Sequence, residues 1–122
     1  MLFRSAEVAA RVRELRELHE VDLVVMLSEM GLANNLRLAE AIPGIDVVLS
    51  SDMHEETKAP IIARSGTILT EQGQDGTMIG RIILDVRGRR VANWQHQAYR
   101  IADDIREHRA TAARIEIGRA HV

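Results

Sequence analysis

The sequence has no cysteine, so disulfides and thiolate metal sites are both unavailable to it. Aromatic residues are almost as scarce, with Phe3, Trp94 and Tyr99 making up 2% of the chain. A core must therefore be assembled from Leu, Ile, Val, Ala and Met. No apolar run approaches the length of a membrane span, and residues 1–20 lack the charged and apolar regions of a signal peptide. An excess of one charge is also missing. Lys plus Arg number 16 against 18 for Asp plus Glu, a net of −2, which gives no reason to expect nucleic acid or an anionic membrane as partner. At 122 residues the chain is long enough for one domain with a modest core.

What is present is concentrated between Val21 and Thr57. Two apolar runs, residues 23–27 and 45–49, each lead directly into a polar tip, Ser28-Glu29-Met30-Gly31 and Ser50-Ser51-Asp52-Met53-His54-Glu55. Parallel strands deliver their C-terminal ends to one edge of an open sheet, where ligands bind. The expectation is that Glu29, Asp52 and His54 converge on one site. Two carboxylates and an imidazole are a reasonable ligand set for a hard or borderline divalent metal.

The rest of the pattern is α/β. Val8, Val12, Leu15 and Leu18 form one face of a helix over residues 6–20. Residues 23–27 are unbroken in apolar character, as in a strand covered on both faces. A second helix over 32–42, with Leu32, Leu36, Leu38 and Ala39 inward, ends at Pro43-Gly44 before the second strand. That order implies a parallel pair joined by a right-handed crossover. After Thr57 the chain turns to short β runs at 61–63 and 67–70. A stretch punctuated by Gly73, Gly76 and Gly80 follows, and then strands over 78–86 and 91–99 that reverse at Arg87-Gly88-Arg89 as an antiparallel hairpin. Residues 103–114 are polar and helix-compatible.

These motifs, in this order, resemble the C-terminal half of the metallophosphatase domain in the 5′-nucleotidase family of calcineurin-like metallophosphoesterases. In that family one strand ends in Ser-His-x-Gly, which Ser28-Glu29-Met30-Gly31 matches. The next ends in Gly-His-Thr-His or Gly-His-Ser-Gln, which Ser51-Asp52-Met53-His54 matches, and the run from Glu71-Gln72-Gly73-Gln74-Asp75-Gly76 to Gly80 resembles the later Gly-rich part. The resemblance implies the second half of an α/β/β/α sandwich over residues 6–104, with parallel strands followed by an antiparallel hairpin. Residues 105–116 would be a helical linker toward a missing downstream domain. Residues 1–5 and 117–122 resemble translated sequencing adapters and are expected to be non-native and to pack against nothing. The implied parent is a metal-dependent phosphoester hydrolase acting on a small phosphate ester or nucleotide with two divalent metal ions, and this fragment would be inactive by itself. A periplasmic or exported location of the parent would follow from the resemblance only.

The departures from the family pattern fall on one metal. Glu29 and Asp52 replace the two histidines that share one ion there, while His54 keeps the histidine of the other ion. Two imidazoles exchanged for carboxylates imply a harder cation at the Glu29/Asp52 position, Mn²⁺ or Mg²⁺ rather than Zn²⁺. The motifs that carry the remaining ligands and the catalytic histidine of the family are missing from the sequence, so no catalytic residue is assigned. A sister branch that hydrolyses a sulfur-oxidation intermediate, a thiosulfohydrolase, is an alternative. So is a degenerate domain retained for metal binding or interaction. A signalling domain phosphorylated on Asp52 is disfavoured by the β-rich second half.

Each candidate also has a plainer reading. His54 could be a loop histidine, Asp52 a loop cap bonded to backbone N–H groups, and Glu29 a solvated strand-end charge. Glu55 and Glu56 are expected at the surface, and His19, His96 and His108 in structural or exposed roles. Gly73, Gly76 and Gly80 need only a turn or a close strand approach.

Overall fold

A computed structural model describes residues 4–121. The first helix, α1 (Ser5–Arg13), continues into a π-helical turn at Glu14–Leu18. Strand β1 (Val25–Ser28), helix α2 (Leu32–Ala41) and strand β2 (Val47–Ser50) follow. Then come β3 (Ile61–Ile62), β4 (Ile68–Thr70), the long strands β5 (Met78–Arg87) and β6 (Arg90–Arg100), and α3 (Arg109–Ala120). One sheet has the order β1-β2-β4-β3, with β1, β2 and β4 parallel and β3 antiparallel to β4; β5 and β6 form a separate two-stranded sheet.

The core lies on one face of the four-stranded sheet. Val48 and Leu69 point into it from β2 and β4, and Leu32, Leu38 and Ala39 come from α2. Val12 joins from α1, and Ile42 and Ile45 from the connection to β2. This is the aliphatic core that the scarcity of aromatics requires. Helix α2 also buries Asn35, although its neighbours in sequence gave no sign of a buried amide.

The other face does not match the expectation of a sheet covered on both sides. Two rows cross it in register, Val25–Val47–Ile68 and Leu27–Leu49–Thr70. Exposure falls from 45% through 3% to 2% along the first row. Along the second it falls from 77% through 40% to 4%. Among the described residues the face is therefore covered over β4 and bare at β1, which is also one of the two edges of the sheet. The apolar character of residues 23–27 reported what the strand is suited to bury, not what this chain supplies to bury it.

The hairpin reverses through Gly88 and Arg89, both at positive φ (55° and 62°), with Arg87 paired to Arg90. Two left-handed residues in a two-residue loop match the right-handed strand twist. Helix formation near the end is shifted relative to the sequence expectation. Helix α3 begins at Arg109 and runs on through Ile117 to Ala120, so residues 117–120 are helical, with Ile117 exposed. Ser5, expected outside the domain, opens α1. Phe3 lies outside the described residues.

Candidate functional site

The C-terminal ends of three parallel strands meet at one edge. Ser28 of β1 is paired with Ser50 of β2, and the residue after β4 is Glu71. Glu29 follows β1 directly, and Asp52 and His54 follow β2 by two and four positions, so all three expected donors sit on this edge and all are exposed. They are not closed into a ligand group: among the described residues, no set of three or more His, Cys, Asp or Glu is arranged to hold a metal ion. The donor chemistry of the three suits a hard cation.

Beside Glu29 the open face carries a depression of about 480 Å³, lined by Leu27, Ser28, Glu29, Leu49, Ser50 and Ser51. Behind the edge lies a buried polar chain. Asn35 Nδ2 donates to Ser50 Oγ at 2.9 Å, and the Ser50 hydroxyl donates to Glu71 Oε1 at 2.6 Å. The other carboxylate oxygen, Oε2, accepts the Glu55 N–H at 2.7 Å. Asn35 and Glu71 are buried, at 0% and 2% exposure, and no ion pair to Glu71 occurs among the described residues. A buried carboxylate is tolerated only when its oxygens are hydrogen-bonded. Here a hydroxyl and an amide supply those bonds. Asn35 Oδ1 has no hydrogen-bond partner among the described residues. It cannot take the Ser50 proton while Glu71 holds it, since a hydroxyl has one hydrogen to give.

The loop between β2 and Glu55 is tightly bracketed. Ser51 N–H donates to Ser28 O at 2.9 Å at its start. Gly73 N–H donates to Glu55 O at 2.7 Å at its end, next to the Glu71 bond. Between these anchors Asp52 and His54 both adopt positive φ, 89° and 56°. Left-handed conformations cost non-glycine residues free energy and persist where surrounding contacts over-determine them. Gly31, the N-cap of α2 at φ +79°, packs directly under this loop: a Cβ there would lie 2.5 Å from Met53 Cγ. Gly31 is thus a point of contact between the two strand tips.

Glu71 is the residue that sequence reasoning passed over. It opens the Gly-rich stretch, yet it repeats the pattern that singles out Glu29 and Asp52, a polar residue ending an apolar β run. Glu55, expected at the surface, is half-buried and anchors the loop through its backbone; Glu56 pairs with Arg100 at 3.0 Å. His19 lies 3.5 Å from Glu14 and His108 Nδ1 lies 2.9 Å from Thr111 Oγ1, and both are exposed. His96 is half-buried on β6, and its Nε2 has no hydrogen-bond partner among the described residues.

The architecture is the C-terminal part of a metallophosphatase fold: parallel strands in one sheet, followed by an antiparallel hairpin. Among solved structures the chain is similar to the sulfate thiohydrolase SoxB of Thermus thermophilus, solved in complex with glycerol. The TM-score is 0.83 at 24% identity over 93% of this chain. The match takes in 21% of the SoxB chain, so this sequence spans about a fifth of that protein. No protein-family model and no curated protein matches the sequence.

Proposed function

We propose that this chain is a segment of a metal-dependent hydrolase, inactive alone, whose remaining site lies in sequence that packs against β1. The observation that carries this reading is the fold likeness to SoxB over nearly the whole chain, together with Glu29, Asp52 and His54 on one strand-end edge. The bare apolar rows at β1 and its unpaired edge are consistent with a further strand and covering layer from outside these residues. In this reading Glu29 and Asp52 would serve one divalent cation and His54 another, with donors from elsewhere completing both. The carboxylates favour Mn²⁺ or Mg²⁺ at the Glu29/Asp52 position.

The substrate has two readings. A small phosphate ester or nucleotide follows from the motif pattern of the 5′-nucleotidase family. A thiosulfonate-type ester, cleaved to release sulfate, is favoured by the likeness to a sulfate thiohydrolase. The longer protein, produced from the uninterrupted gene and supplied with Mn²⁺ or Mg²⁺, distinguishes them. Phosphate release from nucleoside monophosphates supports the first, and sulfate release from a cysteine S-sulfonate supports the second. Absence of both, in a folded and metal-loaded protein, would replace the enzyme by a degenerate metal-binding or interaction domain.

A further inference from the structure

We infer that Glu71 is the positioning residue of the β2 tip: its buried carboxylate fixes the left-handed backbone at Asp52 and His54 by holding the Glu55 N–H. The role assigned to that loop rests on the proposed function; the conformational claim does not.

Three observations meet here. Two non-glycine residues at positive φ lie within three positions of each other, and both are the candidate donors of the loop. Strain of this kind is held by its ends. The upstream end is fixed by the sheet itself, through Ser51 N–H to Ser28 O. The downstream end is held at Glu55, whose carbonyl accepts from Gly73 N–H at 2.7 Å and whose N–H, the group nearer the loop, goes to one carboxylate. Glu71 Oε2 takes the Glu55 N–H at 2.7 Å, while Oε1 is tied to Ser50 and through it to Asn35 on α2. The Glu71 backbone is itself locked, with its carbonyl accepting from Thr57 N–H at 2.9 Å and Thr57 Oγ1 at 3.1 Å. The side chain is therefore a short, rigid strut from β4 to the loop beyond β2. A carboxylate suits that place because it accepts at both oxygens, one toward the core and one toward the loop.

The test uses the 122-residue chain. The readouts are amide hydrogen exchange at Glu55 and the backbone couplings of Asp52 and His54, which report φ. Glu71→Ala removes the strut, and Glu71→Asp keeps the charge while drawing the acceptor back by a methylene. Glu71→Gln keeps an oxygen for the Glu55 N–H. Ser50→Ala breaks the buried chain on its core side only. The expected result is exchange at Glu55 about tenfold or more faster in Glu71→Ala and Glu71→Asp, with both couplings moving to ordinary negative-φ values. Glu71→Gln and Ser50→Ala should leave the loop as it is. If Glu71→Ala does not fold, Glu71→Asp carries the comparison. A loop unchanged in Glu71→Asp, or altered as much in Ser50→Ala, would overturn the inference, because general core integrity would then set the loop. A separate arm adds Mn²⁺ and follows broadening of the His54 ring signals. Because donors from elsewhere complete the site in the proposed function, this arm is run on the longer protein; no broadening there counts against the donor reading alone and leaves the conformational result standing.

Discussion

The two ends of the parallel sheet are tied by opposite kinds of polar chemistry. At the N-terminal ends of β1 and β2, the Arg16 guanidinium pairs with Asp46 and donates to the carbonyls of Gly44, Asp22, Val21 and Arg89. Asp46 also accepts the Val24 N–H at 2.8 Å. Positive and negative charge meet, and three other segments of chain, at 21–22, 44–46 and 89, are gathered on one planar, always-charged group. At the C-terminal ends a carboxylate is buried with neutral partners only, an amide oxygen goes unpartnered, and two residues are held at positive φ. The first arrangement is what stability alone would select. The second spends stability on the placement of a loop, the pattern found where function and folding compete.

The largest effect should come from breaking the charged end. Asp46→Ala leaves Arg16 facing backbone carbonyls alone and strips the Val24 N–H of its acceptor. With side-chain exposures of 20% and 15%, the pair is buried enough for loss of one partner to cost about 3 kcal/mol. Urea unfolding checks this. A loss under about 1 kcal/mol would mean that the end is held by packing and the contrast between the two ends is false.

Gly31→Ala comes next and strikes the junction between the two strand tips. Its Cβ would meet Met53 Cγ at 2.5 Å at a φ of +79°. Met53 is flexible and exposed, so the clash can be relieved, while the backbone strain cannot; about 1–2 kcal/mol is expected. The amide signals of residues 52–55 should shift with it. Unchanged signals there would separate the Gly31 turn from the β2 loop.

Glu71→Gln should move global stability by less than about 1 kcal/mol in either direction. Removing a buried charge offsets the loss of one charge-assisted bond to Ser50. The contrast with Asp46 is the point: two buried or nearly buried carboxylates, one with a cation and one without, should respond very differently to loss of charge. A destabilisation as large as that of Asp46→Ala would make both ends equally structural.

How much of this the sequence disclosed follows the same division. Periodicity marked α2 and both core strands to within about two residues, because burial of an aliphatic face writes itself into spacing. The hairpin was legible at Arg87-Gly88-Arg89, because a two-residue reversal needs residues that accept positive φ. The π-helical turn that presents Arg16 left no local signal in the helical spacing of residues 6–20. Asn35 and Glu71 were unreadable for a related reason. A buried polar residue looks like an exposed one until its partners are known, and Ser50 lies 15 positions from Asn35 and 21 from Glu71. Strand polarity puts Glu29, Asp52 and His54 beyond the C-terminal ends of β1 and β2, but it says nothing about whether side chains close around an ion.

The smallest effect belongs to a pair that looks as strong as Arg16–Asp46 in distance. Arg11 NH1 lies 2.6 Å from Glu14 Oε2 on the surface of α1 and the π-helical turn. That hydrogen bond, the Arg11 charge and the neighbouring His19 hold the Glu14 carboxyl below its ordinary value. A carboxylate depressed in the folded state adds stability above its unfolded pKa and loses it as pH falls through the folded pKa. Here both partners are solvent-exposed, so screening leaves little for that linkage to move. Arg11→Ala should therefore raise the Glu14 titration midpoint toward that of a free glutamate, read from its side-chain carboxyl signal, while the unfolding midpoint at neutral pH stays nearly fixed. A clear fall in stability would show that an arginine–carboxylate contact is worth as much in water as at the sheet end, and burial would no longer be what separates Asp46 from Glu14.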